Sequence, residues 1–420
     1  MSEQPDFDLV IVGGGMVGAT LACALADSPL RIALVEARAP APGWSADRFD
    51  LRVSAVTRAS EAILRHVGAW EGIAGRRLAP FDDMRVWDAR GGRIHFDSAA
   101  VGETTLGYII ENSAIQDALD ERLAAADNVE RRAPVQCSEL ILEAQQARLV
   151  LAEGGELRTR LVVGADGANS WVREQAGIEC RGWSYEQQGV VATVKPARHH
   201  QDTAWQRFLP GGPLAFLPLP DGYCSIVWST DTPNRLLEMD DAAFKKALGE
   251  AFDHTLGTIE WVSPRAAFPL RLQHAVDYTR PRLALIGDAA HTIHPLAGQG
   301  VNLGFLDAAA LAELLIDQAK ARGDLGSHKL LRRYERWRKT DNVAMMTAMD
   351  GFQRLFGQAP LPIRLLRNAG LSLADHSGPL KQRIIKHAMG LRGDLPRMAR
   401  GGQVRSSKSE RRTSVSLRDA

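Results

Sequence analysis

The sequence predicts an α/β chain, α+β over its whole length: a parallel sheet covered by helices, an inserted antiparallel β-sheet domain, and a C-terminal helical segment. Three observations predict it. A β-branched run, Phe7 to Val12, passes through a glycine cluster into an Ala/Leu-rich helix and then a second strand, Arg31 to Val35. Two later apolar runs, 161–163 and 283–286, each enter a small-residue turn that carries an acid. The stretches 84–96 and 180–270 read instead as short strands broken by Gly and Pro. A length of 420 residues fits two or three domains at roughly 150 residues each.

Composition narrows the class. Hydrophobic residues make up 45% and charged residues 24%, which excludes collagen-like, disordered and disulfide-scaffold chains. A net charge of +1 excludes a nucleic-acid binder acting through bulk charge. The average hides a split, because residues 381–420 hold 11 Lys/Arg against three acids while the first 380 residues sum to −7. Cys23, Cys137, Cys180 and Cys224 form no C-x-x-C, so no metal site is expected, and the spacing fits a reducing compartment. Leu9 to Ala26 is an uncharged, largely apolar run of 18, but acids precede it and Gly13, Gly14, Gly15 and Gly18 interrupt it. The reading is a cytoplasmic chain with no spanning segment.

Each part of the first motif has a mechanical use. Gly13-Gly14-Gly15-Met16-Val17-Gly18 is a G-x-G-x-x-G between strand and helix. Gly13 permits the tight turn, Gly15 lets backbone approach a pyrophosphate, and Gly18 lets helix and strand pack closely. Glu36, at the end of the second strand, is placed to accept hydrogen bonds from a ribose diol, and an acid there disfavours a 2′-phosphate. This predicts a Rossmann-like dinucleotide site for FAD or NAD, and the glycines alone do not choose between them.

Two later segments choose. A strand enters Gly164-Ala165-Asp166-Gly167 and a helix start through Arg173. Leu283 to Ile286 enters Gly287-Asp288-Ala289-Ala290-His291, followed by Pro295-Leu296-Ala297-Gly298-Gln299-Gly300-Val301-Asn302 and a long Ala/Leu helix. In this order the three motifs resemble the class A flavoprotein aromatic monooxygenases of the para-hydroxybenzoate hydroxylase type. The resemblance implies FAD as cofactor and NAD(P)H as transient co-substrate. It also implies that Asp288 meets ribityl or ribose hydroxyls. Backbone amides from Gly298 to Asn302 would lie beside the isoalloxazine, where a helix N-terminus stabilises negative charge. Asp166 and Gly167 would shape the pyrophosphate and nicotinamide route.

Within that class the stretch from Gly287 to Gly304 is similar to the ubiquinone-biosynthesis ring hydroxylases, the polyprenylphenol and demethoxyubiquinol hydroxylases. Leu51-Arg52-Val53-Ser54-Ala55, Leu106 to Asn112 and Ala215 to Leu219 support it. The resemblance spans residues 5 to about 391 and implies that Arg52 contacts the phosphate side and Asn112 the ribityl region. Trp205-Gln206-Arg207-Phe208 and the region from 341 to 391 resemble the demethoxyubiquinol branch; Val86-Trp87-Asp88 and Cys224 to Trp228 resemble the polyprenylphenol branch. The ring carbon stays open.

The expected organisation is a discontinuous FAD-binding domain (5–80, 105–178 and 271–350), a β-sheet substrate domain (81–104 and 179–270), C-terminal helices (351–391) and a basic, disordered tail (392–420). Large side chains of the inserted sheet, Trp205, Phe216, Pro218 and Trp228, are candidates for a flat apolar substrate or are simply core. The stretch 380–391 places apolar residues on one helical stripe with Lys381, Arg383 and Lys386 outside it. With the tail, 378–420 suits a membrane surface, peripheral at the inner membrane, or a biosynthetic-complex partner; the alternative is a solvated face.

In the family NAD(P)H reduces the flavin, O₂ adds to give a C4a-hydroperoxyflavin, and its distal oxygen passes to a phenolic ring. The flavin carries the difficult steps, so no catalytic triad is needed. His291 and His294 are the candidate acid/base residues. The resemblance therefore implies hydroxylation of a polyprenylated phenol or benzoquinol. The alternatives are hydroxylation of a soluble aromatic, or a flavin-bearing assembly subunit of a biosynthetic complex.

Overall fold

The computed structural model describes residues 5–40, 42–88, 92–292, 300–356, 382, 386 and 389–400, without the side chains of 348–350 and 352–356. The chain opens as its pattern predicts, with β1 (Phe7–Val12), α1 (Met16–Ala24) and β2 (Ile32–Val35). Next come β3 (Val53–Thr57), α2 (Arg58–His66), α3 (Trp70–Ala74), β4 (Leu78–Phe81), β5 (Asp83–Asp88), β6 (Arg93–Asp97), β7 (Gly107–Glu111) and α4 (Asn112–Ala124). Four strands follow, β8 (Val129–Arg132), β9 (Cys137–Leu142), β10 (Ala147–Leu151) and β11 (Glu156–Gly164), then α5 (Trp171–Gln175). The β-rich middle contains β12 (Cys180–Pro196), β13 (Thr203–Leu209), β14 (Gly212–Pro218), β15 (Cys224–Thr230), α6 (Pro233–Leu237), α7 (Asp241–Ala251), β16 (Ile259–Val262) and β17 (Ala266–Ala275). The last elements are β18 (Thr279–Arg280), β19 (Leu283–Leu285), β20 (His291–Thr292), α8 (Gly300–Lys320) and α9 (His328–Phe356).

Three sheets organise these elements. The first runs β18-β19-β11-β1-β2-β8, with β10 on β11 and β9 on β10. Its centre is parallel and buried on both faces, which is why β1 and β2 read as continuous apolar runs rather than alternating ones. The second runs β20-β17-β12-β15-β14-β13-β5-β6, with β16 on β12. It is antiparallel except where β13 pairs parallel with β5. The third is a small sheet, β3-β7-β4, between the other two in the chain's packing.

Register places the functional edge. Val35, Val12, Gly164 and Leu285 stand side by side at the C-terminal ends of β2, β1, β11 and β19. The residues that follow these strands therefore converge on one edge: Glu36, Gly13, Ala165-Asp166 and Ile286 to Asp288. Ligands of open α/β sheets bind at that edge, because the loops and helix N-termini gather there.

The C-terminal boundary differs from expectation. Residues 389–400 pack on the body, with Met389, Met398 and Ala399 buried and Arg397 paired to Glu313 (3.1 Å) and Asp317 (2.9 Å) on α8. The Trp337 indole N–H donates to the Asp394 carbonyl at 2.6 Å. Three buried apolar residues and one arginine with acidic partners anchor a stretch whose Gly- and Arg-rich composition reads as tail. Gln382 and Lys386 are helical; the rest of 378–388, and 401–420, lie outside the described residues. Among the described residues no helix is long and apolar enough to cross a membrane.

Candidate functional site: a dinucleotide-binding edge

Gly13 has φ +108°, and a Cβ there would lie 2.4 Å from the Ala165 carbonyl oxygen. A Cβ on Gly18 would lie 2.0 Å from the Gly13 carbonyl oxygen. Both positions accept glycine alone, and together they press α1 against the turn. Gly15 differs, because nothing stands within 4 Å of its ideal Cβ. It caps α1, whose first turn contains no acidic side chain, so the helix N-terminus opens onto free space suited to an anion.

Glu36 accepts from the Gly14 amide through Oε2 and from the Arg38 amide through Oε1, both at 2.9 Å. Each oxygen keeps a further lone pair for a ribose hydroxyl. Gln116 on α4 donates to the Gly14 carbonyl at 3.0 Å and steadies the same turn. Arg52 is exposed beside the edge, 5.4 Å from the centre of the Phe268 ring, which is itself exposed. Its loop is pinned by buried Glu111, which accepts from the Trp44 indole (2.9 Å) and pairs with Arg77 (3.0 Å). Asn112 begins α4, where its Oδ1 accepts from the Ser54 hydroxyl at 2.7 Å.

Asp288 combines two properties that rarely meet. It is accessible to solvent, yet closely surrounded by protein. Those surroundings raise its carboxyl above the usual carboxylate range, against the opposing pull of His291 and Arg52. An exposed acid so surrounded is suited to sugar hydroxyls. Gly287, just before it, donates its amide to Asp307 at 3.2 Å.

Several expected contributors are used by the fold. Asp166 accepts from the Ser170 hydroxyl (2.5 Å) and the Val172 amide (3.0 Å), so its carboxylate caps α5; Gly167 beside it, at φ +83°, has open space around its Cβ direction. Asn302 is buried in the first turn of α8, donating to the Ala55 carbonyl (2.8 Å) and accepting from the Thr57 amide (3.0 Å). Its side chain thus staples α8 to β3, while Gly300 and Val301 begin the helix and leave N–H groups with no intrahelical partner. His291 is buried and commits Nε2 to Asp307 at 2.5 Å, which places it in a structural network. His294, Pro295 and Gly298 lie outside the described residues.

The aromatic candidates lie on the covered side of the inserted sheet. Trp205, Phe216 and Trp228 pack with Phe244, Leu248 and Phe252 beneath α6 and α7, and Phe216 stacks on Phe252 at 4.0 Å. Pro218, two residues beyond Phe216 on β14, shares that side. The opposite side presents Ala204, Ala215 and Leu217, packed with Ala55, Phe81 and Ile109 of the small sheet. Both sides are apolar because both are covered, so alternation could not tell core from site. Phe216→Ala is expected to cost about 3–5 kcal/mol of stability. Denaturant melts would show the loss, and the KM of refolded, FAD-loaded protein should not move; a raised KM with unchanged melting would return the ring to the substrate wall.

Residues that carry no motif do much of the positioning. Arg173 donates to the Ala289 and Ala168 carbonyls, both at 2.9 Å, and so clamps the two acid-bearing turns together. Asp307 is fully buried and gathers His291, the Gly287 amide, Arg338 (2.9 Å) and Asn342 (3.1 Å). Arg338 and Asn342 come from α9, so this cluster joins α8 and α9 to the Gly287-Asp288 turn.

An open α1 N-terminus, an acid at the ribose position and an accessible acid at Asp288 fit a flavin dinucleotide laid along this edge. The geometry is that of a flavoprotein, and the chain belongs to the FAD binding domain family, whose model matches residues 6–348. It is an FAD-dependent monooxygenase. It is 39% identical over 394 residues to the 3-demethoxyubiquinol 3-hydroxylase of Escherichia coli (strain K12), covering 93% of this chain and 100% of that one. It is 38% identical over 399 residues to the ubiquinone hydroxylase UbiL of Rhodospirillum rubrum, covering 94% and 92%. Against the mitochondrial ubiquinone biosynthesis monooxygenase COQ6 of Homo sapiens the identity is 37% over 439 residues, covering 92% and 93%. Among solved structures, the p-nitrophenol 4-monooxygenase PnpA of Pseudomonas putida DLL-E4 superposes with a TM-score of 0.76 at 22% identity, covering 92% of this chain and 98% of that one. The anhydrotetracycline hydroxylase OxyS of Streptomyces rimosus gives 0.70 at 23%, covering 92% and 76%. These two likenesses establish the same fold.

Proposed function

We propose that this enzyme uses NAD(P)H and O₂ to hydroxylate the ring of a polyprenylated phenol or benzoquinol in ubiquinone synthesis. The observation that carries this reading is the similarity over 93% of the chain to a relative named for that chemistry. Bound FAD supplies electron uptake from NAD(P)H and activation of O₂. The chain supplies binding and orientation. The α1 N-terminus receives the pyrophosphate, Glu36 the adenosine ribose, and Asp288, with Arg52 nearby, the ribityl side. The free Gly300 and Val301 amides at the start of α8 would stabilise the negative charge that the flavin gains on reduction. The basic stretch 378–420 is where a membrane surface or a partner protein would be met.

Purified, FAD-loaded protein should oxidise NAD(P)H faster when 2-prenylphenol is added and should yield a hydroxylated ring product. Stimulated oxidation without any hydroxylated product would defeat the reading. So would full activity on small soluble phenols with none on the prenylated one.

A further inference from the structure

Arg52 closes the loop before β3, and both polar groups of its backbone are tied. Its amide donates to Asp50 Oδ1 and its carbonyl accepts from the Asn112 amide, both at 3.0 Å. The guanidinium is held differently. It is exposed and makes no hydrogen bond or ion pair among the described residues. What it meets is the face of Phe268 on β17, 5.4 Å from the ring centre. Phe268 is itself 37% exposed. Register gives the side of the strand on which it lies. Ala267 packs towards α6 and α7, so Phe268 points the other way, to the side where Leu272 packs with Leu303 in the first turn of α8. Gly189 stands opposite Phe268 on β12, so no cross-strand side chain covers the ring. Arg52 is also near enough to Asp288 for its positive charge to act on that carboxyl. Three segments far apart in the chain thus bring an aromatic ring to one free guanidinium, and that guanidinium to the accessible acid.

We propose that Phe268 is a positioning residue: its ring holds the Arg52 guanidinium beside Asp288, where the N–H groups donate to oxygens of the flavin's ribityl chain. The assignment rests on the placement of the ribityl side at Asp288 and Arg52 given above. A free arginine side chain samples many rotamers, and fixing it when the cofactor binds costs affinity. An aromatic face removes much of that cost beforehand. A carboxylate could fix the side chain too, but it would occupy the donors and offset the charge. The phenyl ring does neither, so the N–H groups stay free for an incoming oxygen. Donor and acceptor then act as a pair, with Asp288 accepting from the ribityl hydroxyls and Arg52 donating to their oxygens.

The test is a double-mutant cycle on the FAD dissociation constant, read from free-flavin fluorescence as full-length holoenzyme is diluted. Arg52→Gln should weaken FAD binding about tenfold, the worth of a charge-assisted hydrogen bond. Phe268→Leu should weaken it about threefold, as expected for an exposed cation–π contact, with unchanged melting at saturating FAD. Phe268→Trp keeps an aromatic face and should bind as wild type. The double variant Arg52→Gln/Phe268→Leu should bind no more weakly than Arg52→Gln alone, because the ring acts only through the arginine. Phe268→Met provides a second non-aromatic version should the leucine variant fail to fold. Losses that add in the double variant overturn the proposal. Wild-type affinity in Phe268→Leu beside a weak Arg52→Gln also overturns it, leaving Arg52 at the cofactor. Wild-type affinity in Arg52→Gln overturns that placement of Arg52, and this proposal with it.

Discussion

Asp307→Asn should lower the stability of the folded chain by about 3–5 kcal/mol, the cost of leaving a buried charge without its partner. Arg338 is 1% exposed, and its closest carboxylate is that of Asp307, at 2.9 Å. Asn keeps the shape but withdraws the charge from Arg338 and the short contact from His291. Because the Gly287 amide also loses its acceptor, FAD content per chain should fall together with the urea midpoint. Burial alone would raise the Asp307 carboxyl, but His291, Arg338 and Asn342 outweigh it and hold the pKa at about 2. A carboxylate whose folded pKa is depressed contributes stability above its unfolded value, about 3.9. That contribution is lost as the pH falls towards about 2. Wild type should therefore lose more stability than Asp307→Asn between about pH 4 and pH 2. Parallel acid melts would refute the assignment.

The second large effect separates two glycines of one motif. Gly18→Ala puts a methyl group 2.0 Å from the Gly13 carbonyl oxygen, and the atom it meets is backbone that cannot swing aside. The turn must open and α1 must shift, at a cost of about 1–3 kcal/mol or more. FAD should be lost from the purified protein. Gly15→Ala meets no atom within 4 Å. It should fold and melt as wild type yet bind FAD about tenfold more weakly, because the methyl group occupies the space through which a pyrophosphate approaches. Thermal melts of the apoprotein and flavin titrations distinguish the two. Equal FAD affinity in Gly15→Ala and wild type would show that the cofactor does not approach α1 there.

The parallel-sheet half of the molecule was legible because its signals are local. Phe7 to Glu36 contains strand, turn, helix, strand and acid in one continuous stretch, and each glycine has a steric reason that does not depend on distant residues. The Gly287-Asp288 turn was legible for the same reason. The inserted sheet was legible as strands but not as faces. Trp205, Phe216 and Trp228 look like substrate contacts in a list of aromatics, whereas α6 and α7 make them core.

By itself the sequence determined the cofactor class, the order of the three motifs and the family, since these depend on residue types at short spacing. The tertiary structure alone decided which groups act on the site and which support it. Asp307 in an Ala/Leu-rich helix and Arg338 in a charged one belong to no motif, yet they meet in the core behind Gly287 because α8 and α9 pack there. His291 is drawn into that network through its Nε2 contact with Asp307. Burial and pairing are properties of contacts between segments far apart in the chain, and no local pattern records them.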